Sequence, residues 1–453
     1  MKHLITVVIF IVMPILMSFG SAASANEKSA KPTFYAVMQH WMANGGNLHQ
    51  MTTVFGKQPI KSGEDALAIA DAMKKIPLKT PPSYDLLSSN LFTLLGFIQN
   101  VSSQKAFDVV VDKALPPLRD ILKVRLKNPQ NREEDLMFLF KILAMYQQQQ
   151  DAVLIAQIAQ SGFGQGHYLW SLIFEIFDKD HDHHQLLIKQ LSTPLPKGVI
   201  AIAYLDLVNS HAINNNLKEH PFNSPAGIKR LKGWLLDTDQ EKFSYAQSAV
   251  AALPFIDKPK PLLKIAVNHS DINVQMEAAW ALAKLGDAQG IKRLKQWALN
   301  VNTSRVATRY LQELGLEHEI PPKALKPDFE AMAESVNWLT HPNEFARAPD
   351  KIELLDTREI FWPPTNDKRW VWLFNYTYDG AEPGQQADTG VVMAGSITFS
   401  LFSETSKQMK PLDIYGLHCA RELASNNDAR APQHLTAEAG VVILKKYNPA
   451  LGL

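Results

Sequence analysis

Apolar and polar positions repeat with a fixed spacing in the stretch from Ala226 to Leu314. Ala226-Gly-Ile-Lys-Arg-Leu-Lys-Gly-Trp-Leu-Leu236 returns as Gln289-Gly-Ile-Lys-Arg-Leu-Lys-Gln-Trp-Ala-Leu299. Ile265 falls midway between Trp234 and Trp297 and takes their place in an intermediate copy. Ala249/Ala281, Leu253/Leu285, Leu262/Leu294 and Ala266/Ala298 follow the same period of about 32 residues. Each copy has helical spacing in both halves, so the period predicts pairs of helices stacked in succession. The clearest first helix runs from Asp271 to Leu285, with Ser270 or Asp271 as N-cap and Gly286 at the left-handed position after its last turn. The second helix spans Gly290–Asn300, and Thr303–Leu314 is a last helix of the first kind.

Upstream, helical patterns follow one another without strand-like alternation. They cover Phe34–Met42, Asp65–Ile76, Leu86–Gln99, Ala106–Leu126, Glu133–Gln148, Asp151–Gln160, His167–Phe177, His184–Leu191 and Gly198–Ala212. Downstream the pattern changes. Prolines at 321, 322 and 327 mark a linker. Trp370–Tyr378 then alternates as a strand, with Trp370, Trp372, Phe374, Tyr376 and Tyr378 on one face and Val371 and Leu373 on the other. Val391–Phe402 and Val441–Lys445 read as further strands, and Pro411–Ala424 as a helix that could lie over the aromatic face. If the aromatic stripe is core, Val371 and Leu373 need separate cover. The fold class expected is mainly α: an α-solenoid of helix pairs followed by a small α+β domain.

Glu277-Ala-Ala-Trp-Ala-Leu-Ala-Lys-Leu-Gly-Asp287 resembles the HEAT-like repeat named after the phycobilisome lyases. The resemblance is clear over residues 226–315. It implies a helical-repeat architecture and a role in protein binding, and it brings no catalytic residue with it. The C-terminal region resembles no family.

The first residues read as a secretory signal: Lys2, an apolar run from Leu4 to Leu16, and small residues at Ala23-Ser24-Ala25. The organisation expected is therefore a signal peptide at 1–25, a helical cap at 26–82, the solenoid at 83–318, a linker at 319–328 and the α+β domain at 329–453. The protein is expected to be exported, periplasmic or secreted, with no stable membrane anchor once the signal is removed. Cys419 is the lone cysteine, so internal disulfides cannot hold the fold. A formal net charge of +1 gives no electrostatic footprint for nucleic acid.

Candidate chemistry is sparse. Asp178, Asp180 and Asp182 alternate like the start of a calcium loop, with His184 beside them, but the loop glycine is missing and Lys189 stands where the bidentate acid belongs. A solvated loop explains these residues without metal. His418 adjoins Cys419, yet neighbours on a helix point about 100° apart and do not meet. His418 and Glu422, with Asp367, Arg369 and His341, are the polar candidates for an enzyme site in the C-terminal domain. Lys229 and Arg230 recur as Lys292 and Arg293, a positive row that could read an acidic partner or be the wet face of the helices. Trp370, Trp372 and Tyr376 could stack on a sugar or peptide, or form the domain core.

The sequence therefore favours an exported, non-catalytic scaffold that binds another protein, without cofactor. The alternatives are a cell-envelope hydrolase or a carbohydrate-binding protein with its site in the C-terminal domain. Convergence of the polar candidates in one cleft would favour the enzyme.

Overall fold

The computed structural model describes residues 33–48, 59–80, 89–127, 133–341, 345–379, 387–402 and 409–449. The expected signal segment at 1–25 lies outside the described residues. The chain is mainly helical and closes with a small antiparallel sheet. It divides into two compact units, one ending at Ile142 and one beginning at Leu143.

The first unit contains α1 (Phe34–Asn44), α2 (Gly63–Met73) and α3 (Asn90–Ile98). Thr33, Ser62 and Ser89 cap them, each accepting the amide three residues on. The stretch expected as one helix at 106–126 is α4 (Gln104–Val109), a π turn (Val110–Ala114) and α5 (Leu115–Leu126). Pro116 and Pro117 have no amide hydrogen to give the preceding turn. The widened π turn lets the helix pass that gap without breaking.

A helix over Glu133–Met145, α6, is followed by α7 (Gln149–Ser161), α8 (Leu169–Glu175), α9 (His184–Leu191) and α10 (Gly198–Ile213). Then come α11 (Pro225–Leu235), α12 (Phe243–Ala251), α13 (Lys260–Ala266), α14 (Ile272–Lys284), α15 (Ala288–Ala298) and α16 (Val301–Glu313). On α14 both Val274 and Ala278 are fully buried, with Ala279 and Trp280 beside them, so the helix is covered on two sides. Leu285, expected as the last residue of this helix, is 45% exposed because the helix has already ended at Lys284.

The sheet domain departs from expectation in several places. The stretch expected as a linker has Ile320 and Ala324 buried, and α17 (Pro327–Leu339) begins directly behind it. An edge strand, β1 (Lys351–Trp362), pairs antiparallel with β2 (Asp367–Tyr378). Its alternation is broken by a bulge between Leu354 and Asp356. Ile352 and Leu354 oppose Tyr376 and Phe374, but past the bulge Arg358 opposes Val371. One extra residue swaps the face of everything after it, which hides the period of two. The run expected as a single strand at 391–402 is β3 (Asp388–Ala394) and β4 (Ser400–Phe402), separated at Gly395 with φ +87°. Finally, Val441–Lys445 is not a strand but part of α19 (Ala437–Tyr447). Its β-branched residues are overruled by packing against α18 (Pro411–Ser425).

The four strands lie in the order β1-β2-β3-β4. Both faces are covered. Phe374, Tyr376, Tyr378 and Val392 pack with Ala331 and Leu339 of α17. Val371, Leu373, Val391 and Met393 pack with Ile414, Tyr415 and Cys419 of α18 and Leu444 of α19. The aromatic stripe is thus covered by α17, and the helix expected over it covers the opposite face. At one end of the edge strand, the Asn448 side chain mimics a missing partner strand. It accepts from the Phe361 amide at 2.7 Å and donates to the Phe361 carbonyl at 2.9 Å.

Helices α18 and α19 meet at Gly416 and Gly440, where a methyl group on Gly440 would collide with the Gly416 backbone. Gly440→Ala is expected to destabilise the sheet domain by about 2 kcal/mol through overpacking, read by urea unfolding of the whole protein. An exposed substitution such as Val442→Ala serves as the near-neutral control, since Val442 is 64% exposed.

Candidate functional site

The β3–β4 turn and α18 bring Ser396, Thr398, His418, Glu422 and Trp362 together. His418 and Glu422 sit one helical turn apart and are both buried. Glu422 Oε2 accepts from the Trp362 indole at 2.8 Å. Its Oε1 accepts from the Thr398 amide at 2.9 Å and the Thr398 hydroxyl at 3.1 Å, with His418 Nε2 also 3.1 Å away. Burial pushes the Glu422 carboxyl up, but the bond and charge of His418, with Trp362 and the Thr398 amide, outweigh it and hold it below the usual range.

Ser396 Oγ lies 2.8 Å from the same His418 Nε2 and donates to the Thr398 carbonyl at 2.6 Å. A hydroxyl has one proton, so with that proton on Thr398 the imidazole must donate to the serine oxygen. A general base needs the reverse: a nitrogen lone pair facing the hydroxyl proton. In a serine–histidine–acid triad the acid holds the far ring nitrogen. Here hydroxyl and acid share Nε2, and the buried Nδ1 has no hydrogen-bond partner. The cluster ties the β3–β4 turn to α18, and in this arrangement it offers the Ser396 hydroxyl no acceptor on the imidazole. Cys419, the next residue, points into the apolar core, and burial pushes its thiol up to about 12.

Of the other enzyme candidates, Arg369 reaches the edge of this cluster: it donates to the Gly395 carbonyl at 3.3 Å and feels the Glu422 charge. Asp367 and Arg369 form a two-pronged ion pair at 2.8 and 2.7 Å. That bond, with Thr365, holds the Asp367 carboxyl down to about 2. His341 follows the end of α17, its amide bonded to the Trp338 carbonyl. A cavity of 260 Å³ is lined by His418, Glu422, Thr398, Ser400, Arg421 and Ile397 among others, and Asp367, Arg369 and His341 are not in its lining. Ser396, Thr398 and Trp362 had no signal in the sequence, because a turn, not a motif, brings them to the helix.

Of the aromatic candidates, Tyr376 is buried under α17. Trp372 is half-buried and its indole donates to Asp328 of α17 at 2.7 Å. Trp370, stacked on Trp372 with 6.4 Å between centroids, is 48% exposed. A flat ligand would find one ring, not a row of five.

The acidic loop does not converge either. Asp178 Oδ1 accepts from the Asp180 amide, Asp180 pairs with Lys179, and the Asp182 amide donates to Gln147. His184 Nδ1 donates to the His181 carbonyl at 2.6 Å. Among the described residues no three His, Cys, Asp or Glu side chains are placed to hold a metal ion.

The positive row is split by use. Arg230 of α11 donates to the Pro196 carbonyl ahead of α10, and Arg293 of α15 to the Val267 carbonyl ahead of α14, so each guanidinium holds the loop before the preceding helix. Lys229 and Lys292 are exposed and take part in none of the ion pairs found among the described residues. The larger opening lies elsewhere. A groove of 840 Å³ runs between α9 and the segment joining α10 to α11. Gln185, Lys189 and Ser192 line one wall, and Asn215, Asn216 and Lys218 the other.

Glu422→Ala strands the Trp362 indole, the Thr398 amide and His418 in the interior, and is expected to cost about 3 kcal/mol in denaturant unfolding. Ser396→Ala removes one peripheral hydroxyl and is expected to cost about 1 kcal/mol. Equal losses would contradict the hydrogen-bond hierarchy described.

No family model matches this chain, and no curated protein or solved structure matches it either.

Proposed function

We propose that the chain is an exported, non-catalytic scaffold whose long helical region is an α-solenoid of HEAT-like helix pairs, and that the polar groove beside α9 is a docking surface for another protein. The groove carries this reading: it is large and open, and amide, hydroxyl and ammonium groups line it together with the apolar Ile188, Leu217 and Pro221, a mixture that suits a peptide surface. The closest thing to a catalytic cluster, around His418, has its hydroxyl proton and carboxylate already committed.

Equivalent environments in successive units support the solenoid. Trp234, Ile265 and Trp297 are all half-buried, each with a buried residue three positions before it (Leu231, Leu262, Leu294) and one after it (Leu235, Ala266, Ala298). Gly227 and Gly290 occupy the same place in α11 and α15, and a Cβ on either would strike backbone of the preceding element, Phe222 and Ala279 respectively. Helices α12, α14 and α16 are joined through one buried carboxyl. Gln247 Nε2 donates to Glu277 Oε2 at 3.5 Å, and the Tyr310 hydroxyl donates to the same oxygen.

Docking is tested by affinity purification from the native envelope. Ser192→Trp fills the groove from one wall. It is expected to remove a reproducible partner seen with the wild-type protein, while His418→Ala retains that partner. Loss with His418→Ala alone, or turnover of a cell-wall substrate by the wild type, would move the function to the sheet domain.

Burial pushes the Glu277 carboxyl up to about 7. The folded chain therefore keeps a proton between pH 4.5 and about 7 that the unfolded chain has released, so stability falls as pH rises through this window. The full penalty, on the order of 3 kcal/mol, is present above the window and absent below it. Glu277→Gln is expected to flatten this slope in thermal unfolding followed from pH 4.5 to 8.

A further inference from the structure

The groove wall formed by residues 214–220 is tied to the rest of the unit through histidines, and each tie fixes a single neutral form. His184 Nδ1 gives its hydrogen to the His181 carbonyl, and His211 Nε2 gives its own to the Phe177 carbonyl at 2.9 Å. Asn216 Nδ2 then donates to both remaining nitrogens, His184 Nε2 at 3.2 Å and His211 Nδ1 at 3.4 Å. Gln185 Nε2 adds a further donor to His184 Nε2 at 3.0 Å and holds the Asn216 carbonyl at 2.8 Å. The two imidazoles are stacked, with 4.6 Å between centroids and planes 16° apart.

His220, at the base of the groove, is fixed in the same way. The Phe222 amide donates to its Nδ1 at 3.3 Å, and its Nε2 donates to Asn209 Oδ1 at 3.0 Å. A proton added to any of these rings sets N–H against N–H. Turning the Asn216 amide would offer one oxygen to His184 and His211, yet two stacked cations would remain.

We propose that this groove is a pH-gated docking site: protonation of the His184–His211 pair breaks the Asn216 tie and releases the 214–220 wall. The proposal rests on the docking reading above and adds its regulation. Burial lowers the affinity of His211 and of neighbouring His181 for a proton, and holds His220 down to about 4. The charged groups around the pair are few. Asp178 favours the protonated His211, Asp182 and His183 act in opposite senses on His181, and the groove walls add Lys189, Lys218 and Glu219. Asp178 and Asp182 are exposed, so water screens their pull.

Hydrogen exchange on the full-length mature protein, with no partner present, tests this. Between pH 7.5 and pH 5, after correction for intrinsic rates, the amides of Asn214, Asn215 and Asn216, which donate to the Ser210, Ala212 and His211 carbonyls, are expected to lose about 10-fold or more in protection, while those of α14 and α16 change by less than about 3-fold. His184→Gln removes one of the two stacked charges and is expected to keep the wall protected at pH 5. If His184→Gln is unfolded at pH 7.5 by circular dichroism, Asn216→Asp replaces it. The new carboxylate accepts from both protonated rings and is likewise expected to preserve protection. Unchanged wild-type protection at pH 5, or equal loss in the variant, would overturn the gate. Either result leaves the purification experiment standing, since exchange is read without a partner.

Discussion

The helices after Pro225 hide their apolar surface only against neighbouring helices, and no disulfide compensates for surface left open. Helix α14 illustrates the constraint: Val274, Ala278, Ala279, Trp280 and Ala281 face more than one direction and all are buried. Such a helix is stable only between others, so order is a property of the series and not of any one member. Close approach then becomes the second requirement, and Gly227 and Gly290 meet it by leaving room for backbone. A third element is polar. The carboxyl of Glu277 receives hydrogen bonds from helices on either side, a linkage that hydrophobic matching alone would not align.

The sheet domain meets the same demand with two layers of helix. Each face of β2 carries large side chains, and each needs its own cover. The polar cluster around Glu422 fits this picture as a fastening. It joins the β3–β4 turn to α18 by satisfying groups that would otherwise be buried alone. A hydrogen-bonded Ser, His and Glu in one cluster do not by themselves make a catalyst; the direction in which each proton points decides.

Much of the helical layout was legible because helix periodicity and capping are local. Asp271 and Gly286 mark helix ends in the sequence and do so in the structure. The sheet domain was less legible for reasons that are physical and particular. Strand β1 loses its alternation at the Leu354/Asp356 irregularity and carries charges suited to an edge. The Val441 run looks like a strand until Gly416 and Gly440 allow two helices to touch. The groove was invisible because its lining comes from one helix and a loop some thirty residues later. His418 and Glu422 lie one turn apart on α18, a relation that follows from helix geometry, whereas Ser396 arrives through a turn that no local pattern announces.

Helix α17 has two sets of neighbours. It packs on α16, to which the Arg305–Glu334 pair also links it, and it covers Phe374, Tyr376 and Val392 of the sheet. A cut in the proline-rich stretch before it would strip α16 of its last cover, while a cut after it would bare the aromatic face of β2. Among the described residues α17 is therefore shared, and parting the helices from the sheet at either end of it uncovers apolar surface on one of them. Any rearrangement or gene fusion that kept the sheet covered would have to carry α17 with it.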